Sequence, residues 1–210
     1  MKPTRRAHEV LEFWFGSRPY TADAVAQRMP RWFGDAAAPE MQPQTDEQIR
    51  QRFGMLMQQA AAGELASWES GPRRRLALIL LLDQFPRNLY RGTAAAFAQD
   101  RSALELALGG MQLGADAVLD PVERIFFYMP LQHAESREVQ DESLAAFRRL
   151  AAEAPVDLGQ VFAGVSRFAQ LHYEIIERFG RFPHRNAALG RTPTPEETLW
   201  LEGGGVSFGQ

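Results

Sequence analysis

The amino-acid sequence predicts an all-α protein, a single domain over residues 1–210 in which about eight helices pack as antiparallel hairpins. Three observations support this fold class. Apolar residues recur at spacings of three and four along most of the chain. Threonine, aspartate and proline stand where helices would begin, and glycine stands where they would end. The alternation of apolar and polar residues that is typical of strands is almost absent, and 210 residues are enough to bury one large core.

The N-terminal part of the chain predicts two helices separated by a loop. Apolar residues within 10–15 share one face of a first helix, which should end at Gly16. Residues 30–45 hold three prolines and a glycine, which predicts a loop whose aromatic side chains still contact the body of the protein. The second helix should begin with Thr45 as its capping residue and end at Gly63.

The middle of the chain predicts the most buried helix. Proline at position 72 suits the first turn of a helix, where its missing N–H leaves no hydrogen bond unmade. The run LALILLL at 76–82 is apolar on every side, so this helix should cross the centre of the core. Pro86 disfavours the helical conformation at Phe85, and the helix is therefore expected to end at residue 84.

The remaining helices follow from the same start and stop signals. They are expected at 93–108, from 120–121 through the aromatic residues that follow, at 136–152, at 157–180, and from 194–195 to 201. Two glycine-rich segments follow helices. GGMQLG at 109–114 is expected to cap a helix, and residues 203–210 are expected to form a flexible tail.

Composition argues against several classes of function. The net charge of −3, with no run of basic residues longer than three, argues against nucleic-acid binding. The chain has no cysteine, so it can form neither disulfides nor thiolate metal sites. No apolar run approaches the roughly 20 residues of a membrane span, and acidic residues interrupt the N-terminal segment where a signal peptide would be apolar. We therefore expect a soluble, cytoplasmic protein without membrane or nucleic-acid partners.

Two widely separated segments repeat one pattern. Residues 85–92 read FPRNLYRG and residues 182–190 read FPHRNAALG, and we call them the first and second FP turn. In each, Phe-Pro is followed by Arg-Asn and then, four residues after the asparagine, by glycine. The pattern is typical of a helix end that buries an aromatic ring, uses asparagine in the turn and needs a positive φ at the glycine.

Charged residues accompany both turns. Asp83 lies just before the first FP turn and should have a cationic partner; Arg87 and Arg91 are close in sequence, and a guanidinium can bind both carboxylate oxygens. The helix before the second FP turn contains acids four residues ahead of arginines, the favoured order for helix ion pairs. These pairs are Glu174 with Arg178 and Glu177 with Arg181. The charged residues either tie loops to helix ends or bind a ligand, and the sequence leaves both interpretations open.

A third polar group, His133-Ala134-Glu135, follows the segment FFYMPLQ. A histidine in such a place can have its pKa moved through neutrality by small changes in its surroundings. His172 and Glu174 repeat the His-x-Glu spacing, but residues i and i+2 do not share a helix face, so no metal site is expected. The chain also lacks a phosphate-binding loop and a dinucleotide fingerprint, and no cofactor is expected.

Three segments of the sequence closely resemble a bacterial family, domain of unknown function 924. The segments are LALILLLDQFPRNLYRGTAAAFAQD, ERIFFYMPLQHAE and ERFGRFPHRNAALGRTPTPEETLWL, in that order. The resemblance covers residues 8–203 and implies an all-helical, tetratricopeptide-like fold, without an activity, substrate or cofactor. The family signature falls on Asp83, Gln84, Phe85, Pro86, Arg87, Asn88, Arg91, Gly92, Tyr128, Pro130, His133, Glu135, Phe179, Arg181, Phe182, Pro183, His184, Arg185, Asn186 and Gly190.

Three functional hypotheses follow. The first is a protein that binds a small anionic molecule or an acidic peptide end through an Arg/His/Asn cluster. Its candidate ligand-binding residues are Arg87, Asn88, Arg91, Tyr128, His133, Arg181, His184, Arg185 and Asn186. The second is a hydrolase or lyase that uses His133 or His184 as general base, oriented by Glu135 or Asp83. The third is a protein-interaction scaffold with an exposed groove or apolar patch. The sequence predicts no particular oligomeric state.

Overall fold

The computed structural model of the protein describes residues 3–34, 37 and 39–209, with the backbone alone at residues 3 and 4. These residues form helices and connecting turns without a strand, which confirms the all-α prediction. The α-helices of the described residues are α1 (Pro3–Phe15), α2 (Ala22–Ala26), α3 (Met29–Phe33), α4 (Met41–Ala61), α5 (Pro72–Ile79), α6 (Phe85–Leu89), α7 (Asp100–Gln112), α8 (Pro121–Gln132), α9 (Arg137–Ala152), α10 (Gly159–Phe179) and α11 (Pro195–Glu202). Short 3₁₀ helices lie at Ala66–Ser70, Ala94–Ala96, Val156–Leu158 and Pro183–Arg185. Helices α2, α3 and α6 are five residues long, and the other eight correspond to the predicted ones.

The predicted loop over 30–45 is wrong for much of its length. Helix α3 covers its first residues, and α4 begins at Met41. A proline lies in the first turn of each of these helices, where a backbone N–H would have no helical partner anyway. Thr45 is buried inside α4 and therefore does not cap it. Residues 35, 36 and 38 of the predicted loop lie outside the described residues.

The helix that begins at Pro72 does not end at residue 84. Its backbone continues through a π-helical segment, Leu80–Gln84, directly into α6. The N–H of Phe85 donates to the carbonyl of Leu80, five residues earlier. This wider turn lets the chain pass Pro86, whose ring and missing N–H disrupt the ordinary helical pattern. The first FP turn is therefore part of a helix, and it follows a rare backbone feature that is frequent at functional sites.

The region around α7 differs from the prediction in two ways. A 3₁₀ helix and a break precede α7, so the predicted helix 93–108 is two elements. The segment 109–114 was expected to cap a helix, but its first residues do not end α7. The helix continues through Gly109 and Gly110 as far as Gln112. A Cβ atom at Gly110 would lie 2.5 Å from the ring of Phe127 and 2.8 Å from the side chain of Arg75. Glycine at this position thus permits close packing of α7 against its neighbours.

Several predicted helix ends are confirmed. Asp120 and Thr194 each form a capping box at the start of α8 and α11. Gly16, just after α1, has a φ of 78°. The two FP turns reach glycines with φ values of 71° at Gly92 and 63° at Gly190, as their pattern predicts.

The core has the predicted centre. Every residue of 76–82 is buried, and a cluster of aromatic rings lies at the C-terminal end of this run. The Trp14 ring of α1 lies 5.5 Å from the Phe85 ring and 5.6 Å from the Phe126 ring of α8. A second, smaller group of buried apolar residues, Ile175, Ile176 and Phe182, lies beside the second FP turn.

Consecutive helices α8, α9 and α10 pack against one another, as expected for helical hairpins. The finer tetratricopeptide-like assignment stays a prediction. No helix in the described part of the chain has both the length and the apolar character that crossing a membrane requires. In the glycine-rich tail, the ring of Phe208 stacks on His172 with 3.7 Å between centroids. Whether that tail is flexible, as predicted, stays a prediction.

Candidate functional site

A cavity of about 430 Å³ opens beside the first FP turn. Residues of α3, α6, α8, α10 and the C-terminal tail line it, so distant parts of the sequence contribute to one wall. Among the described residues of that wall are three arginines and two histidines but neither aspartate nor glutamate. The polar lining residues are Arg31, Gln42, Gln84, Arg87, Asn88, Arg91, Gln132, His133, His172 and Ser207.

Asp83 lies in the π-helical segment directly behind this wall, with no exposed surface. Its Oδ1 atom is 2.6 Å from Nδ1 of His133 and 3.1 Å from a terminal nitrogen of Arg87. Its Oδ2 atom accepts a hydrogen bond of 2.6 Å from the amide of Gln84. The predicted pairing of Asp83 with Arg87 is therefore confirmed, and the structure adds His133 as a second partner.

The surroundings decide the protonation states of Asp83 and His133. Burial by itself would raise the pKa of Asp83, but the Arg87 guanidinium and His133 hold that pKa well below its usual range. Burial and the nearby Arg87 charge lower the pKa of His133, against the opposing effect of Asp83. At neutral pH the aspartate is thus ionised and the imidazole neutral, which requires that Nδ1–H donates to Asp83 and that Nε2 keeps its lone pair.

The Nε2 atom of His133 is the ring nitrogen opposite the Asp83 contact, in a side chain that lines the cavity. It has no hydrogen-bond partner among the described residues, and it is not one of the buried polar atoms that lack a partner. The neighbouring ring of His172 lies 6.0 Å away, centroid to centroid. His172 donates from Nδ1 to the carbonyl of Phe168 at 2.7 Å, and burial lowers its pKa well below the usual value. The cavity wall therefore presents two neutral imidazoles.

A chain of ion pairs links the two FP turns. Arg87 donates two hydrogen bonds of 2.8 Å to the carboxylate of Asp100, at the start of α7. Arg185, from the second turn, reaches the same carboxylate at 3.2 Å. The guanidinium of Arg185 also lies over the rings of Phe97 and Phe182, at 4.6 and 4.4 Å from their centroids. Burial and the nearby Arg87 lower the pKa of Arg185 to about 10.

Asp46 of α4 accepts hydrogen bonds from two further residues of the first FP turn, Asn88 and Arg91. Arg91 donates to both of its carboxylate oxygens, at 2.5 and 3.2 Å. The amide of Asn88 donates to one of them at 3.0 Å. Arg91, the other candidate partner predicted for Asp83, binds Asp46 instead, because it lies in the turn that follows the end of α6 at Leu89.

The second FP turn is closed by two other carboxylates. Glu197 of α11 accepts two hydrogen bonds from Arg181, at 2.6 and 2.7 Å, and one of 3.1 Å from Asn186. Glu135 accepts from the backbone N–H of Phe182 at 2.8 Å and from Arg191. Glu135 therefore stabilises the second FP turn. The carboxylate that contacts His133 is that of Asp83.

His184 and Tyr128 lie outside the cavity wall. Burial and the charge of Arg185 lower the pKa of His184 to about 3, and its Nδ1 atom has no hydrogen-bond partner among the described residues. The hydroxyl of Tyr128 donates to Asp116 at 2.5 Å, in the connection between α7 and α8. Burial, together with this bond, raises the pKa of Tyr128.

The structure therefore brings together part of the predicted ligand-binding set. Arg87, Asn88, Arg91 and His133 line the cavity, whereas Tyr128, Arg181, His184, Arg185 and Asn186 do not. The predicted helix ion pairs near the second turn are replaced by longer-range ones. Arg178 and Arg181 bind Glu196 and Glu197 of α11, at 2.8 and 2.6 Å, instead of the acids four residues before them.

Sequence reasoning missed the acids that complete these networks. Asp46 and Asp100 are separated from their arginines along the chain, and nothing in their local sequence indicates the pairing. The C-terminal segment was predicted only as a flexible tail, yet Ser207 lines the cavity, and residues 205–209, GVSFG, have the Gly-x-Ser-x-Gly spacing. Among the described residues, no group of three or more His, Asp and Glu side chains is arranged to hold a metal ion.

Comparisons with known proteins agree on one relationship. A family model described as bacterial protein of unknown function (DUF924) matches residues 10–205. A solved structure of a protein of unknown function from Agrobacterium tumefaciens is 35% identical in sequence, with a TM-score of 0.77. That match covers 96% of this chain and 99% of the other. The comparison with curated proteins gave no match.

Proposed function

The chain belongs to the DUF924 family of bacterial proteins of unknown function, and we propose that it is an enzyme whose cavity binds a small molecule, with His133 as general base. The observation on which the proposal depends is the Asp83–His133 pair. A buried, ionised carboxylate holds Nδ1 of an imidazole at 2.6 Å, and the opposite ring nitrogen faces a cavity.

This pair has the chemical properties that general-base catalysis needs. An imidazole must be unprotonated to accept a proton, and burial together with Arg87 lowers the pKa of His133. When Nε2 accepts a proton, the ring becomes a cation, and the adjacent Asp83 carboxylate stabilises that cation and keeps the ring oriented. The pair thus serves a hydrolase, in which the proton comes from water, or a lyase, in which it comes from the substrate.

Ser207 is not assigned as a nucleophile. Its Gly-x-Ser-x-Gly segment follows a helix at the end of the chain, whereas a nucleophile elbow connects a strand to a helix. No hydrogen bond joins Ser207 to His133 in the described part of the chain. Water or a group of the substrate is therefore the proton donor that we propose.

Anion binding through the arginines of the FP turns has less support. Arg87, Arg91, Arg181 and Arg185 each already bind a carboxylate. Neutralised guanidiniums attract a ligand anion less strongly, although Arg87 and Arg91 still border the cavity. Binding of an acidic peptide end and a scaffold function stay predictions, as does a cytoplasmic location.

The protonation state of His133 tests the proposal without knowledge of the substrate. In long-range ¹H–¹⁵N NMR spectra at pH 7, we expect the neutral tautomer with the proton on Nδ1. In Asp83→Asn, the pH at which His133 titrates should fall, because the carboxylate that stabilises its cation is gone. An imidazolium at pH 7, or a proton on Nε2, would overturn the general-base assignment.

Turnover of a metabolite panel is the second test. Consumption of a compound by the natural protein should be lost in His133→Gln and should persist in His8→Gln, which removes an exposed histidine from α1. Folding of both variants is checked by circular dichroism. Equal turnover in His133→Gln and in the natural protein would contradict the proposal.

A further inference from the structure

Arg31 of α3 differs from the other two arginines that line the cavity. Arg87 and Arg91 are neutralised by Asp100 and Asp46. Arg31 forms no ion pair with a carboxylate of the described residues. It donates a hydrogen bond of 2.5 Å to the carbonyl oxygen of Phe13. The cavity therefore has one wall, at α3, where no carboxylate of the described residues balances a positive charge.

Two more guanidiniums lie beside Arg31. Arg28 donates to the same Phe13 carbonyl at 3.4 Å. Arg52 of α4 lies over the Phe13 ring, 5.0 Å from its centroid, and Arg31 lies 4.4 Å from the same centroid. Neither Arg28 nor Arg52 has an ion pair with an acid in the part of the chain that the structure describes. Three cations thus surround one aromatic residue.

Capping of α1 explains only part of this cluster. Phe13 lies in the last turn of α1, where carbonyls lack helical partners and cations are favoured. One carbonyl needs one or two donors, whereas each guanidinium has five N–H groups. Arg52 makes no hydrogen bond to that carbonyl. The remaining donors and the third charge exceed what the helix end requires.

The cluster is electrostatically unfavourable without a counter-charge. Burial lowers the pKa of Arg31, and the charges of Arg28 and Arg52 lower it further. An anion bound at Arg31 relieves such mutual repulsion. Oxyanions suit this position because a guanidinium can donate two parallel hydrogen bonds to them.

We propose that Arg31, flanked by Arg28 and Arg52, binds an oxyanion group, phosphate or carboxylate, of the small molecule that occupies the cavity. The inference uses the cavity of the proposed function and adds the class of substrate to it. The molecule has an oxyanion at the α3 end, and its reacting part lies near His133.

Inorganic phosphate and acetate are the probes for this site. We titrate each into the ¹⁵N-labelled protein, follow the arginine Nε–Hε signals, and measure affinity by calorimetry. We expect the signals of Arg31 and Arg52 to shift, and the tighter of the two probes identifies the kind of oxyanion. In Arg31→Gln, affinity should fall by roughly tenfold or more, because a charge-assisted pair of hydrogen bonds is lost.

Two further variants keep the test independent of folding. Arg52→Gln removes no side-chain hydrogen bond to another described residue and should weaken binding several-fold. Arg101→Gln, which removes a charge from the exposed face of α7, should leave affinity unchanged. The proposal is overturned if neither probe binds, if Arg31→Gln binds as tightly as the natural protein, or if the shifts centre on Arg87 and Arg185. His133→Gln should keep phosphate or acetate binding, so failure of the general base and failure of the oxyanion site give different results.

Discussion

The first FP turn (85–92) and the second FP turn (182–190) share a sequence pattern but not a structure. The first is helical, because a π-helical segment leads directly into α6. The second begins with a 3₁₀ helix after α10 has ended at Gly180, which has a φ of 70°. Both end at a glycine with positive φ, so the pattern determines how each turn finishes and not how it begins.

Their side chains also have different surroundings. Arg87 and Asn88 of the first turn border the cavity, next to His133. Arg181 and Asn186, at the second turn, bind Glu197 of α11 and do not line the cavity. Arg185 joins the two turns, through Asp100. The comparison indicates that the first turn belongs to the candidate site and that the second turn mainly supports it.

The largest expected difference between the turns comes from removing the central acid of each. Asp83→Asn should reduce the free energy of unfolding by about 3 kcal/mol, because Arg87 is then left buried with one carboxylate partner fewer. Glu197→Gln should cost about 1 to 2 kcal/mol, because water can reach Arg181, whose side chain is 28% exposed. Urea denaturation at pH 7 measures both values.

A larger loss in Glu197→Gln than in Asp83→Asn would reverse this comparison. It would show that the second turn and α11 hold the fold together more strongly than the buried pair behind the cavity. Asp83→Ala is the supporting variant, and it should cost at least as much as Asp83→Asn, since it also leaves a void.

A smaller difference between the turns concerns the pH dependence of stability. The second turn contains a residue that the first lacks, His184, between its proline and its arginine. Burial and Arg185 lower its pKa to about 3, against a modest opposing effect of Glu135, whereas an unfolded histidine titrates near 6.5. The unfolded state therefore takes up the proton first as the pH falls. The contribution of the neutral His184 ring to the free energy of unfolding is fully present above about pH 6.5 and is lost progressively toward pH 3.

His184→Gln tests this directly. Between pH 7 and pH 5, the natural protein should lose about 1 to 2 kcal/mol more of its free energy of unfolding than the variant does. His8→Gln is the matched control for loss of a histidine from an exposed position. Parallel pH profiles for the natural protein and His184→Gln would contradict the expected burial of this ring.

The smallest expected effects should be equal in the two turns. Gly92→Ala and Gly190→Ala place a Cβ atom where φ is positive and where no heavy atom lies within 4 Å, so only backbone strain opposes them. Each should cost about 1 kcal/mol. Gly54→Ala, within α4 and equally free of neighbours, should instead raise stability slightly. Unequal losses in Gly92→Ala and Gly190→Ala, measured by urea denaturation, would show that the turn ends are not equivalent.

Much of the helical architecture could be predicted, because its signals are local. The buried run at 76–82, the capping boxes at Asp120 and Thr194 and the positive φ at Gly92 each depend on neighbouring residues only. The wrong predictions of helix ends came from the rule that proline interrupts a helix, which does not hold in the first turn or after a π-helical segment. Prolines were read as breaks at 30–45 and after residue 84, yet they fit first turns of helices or follow a π-helical segment.

The sequence by itself thus determined the helices, most of their ends, and the residues around which a site could form. Only the tertiary structure decided which acid pairs with which arginine, because Asp46, Asp100 and Glu197 reach their partners across the fold. Helix periodicity reports which face of a helix is buried, but it does not report which other helix covers that face. For the same reason, the sequence alone did not show that His133 contacts Asp83 or that Arg31 faces the same cavity.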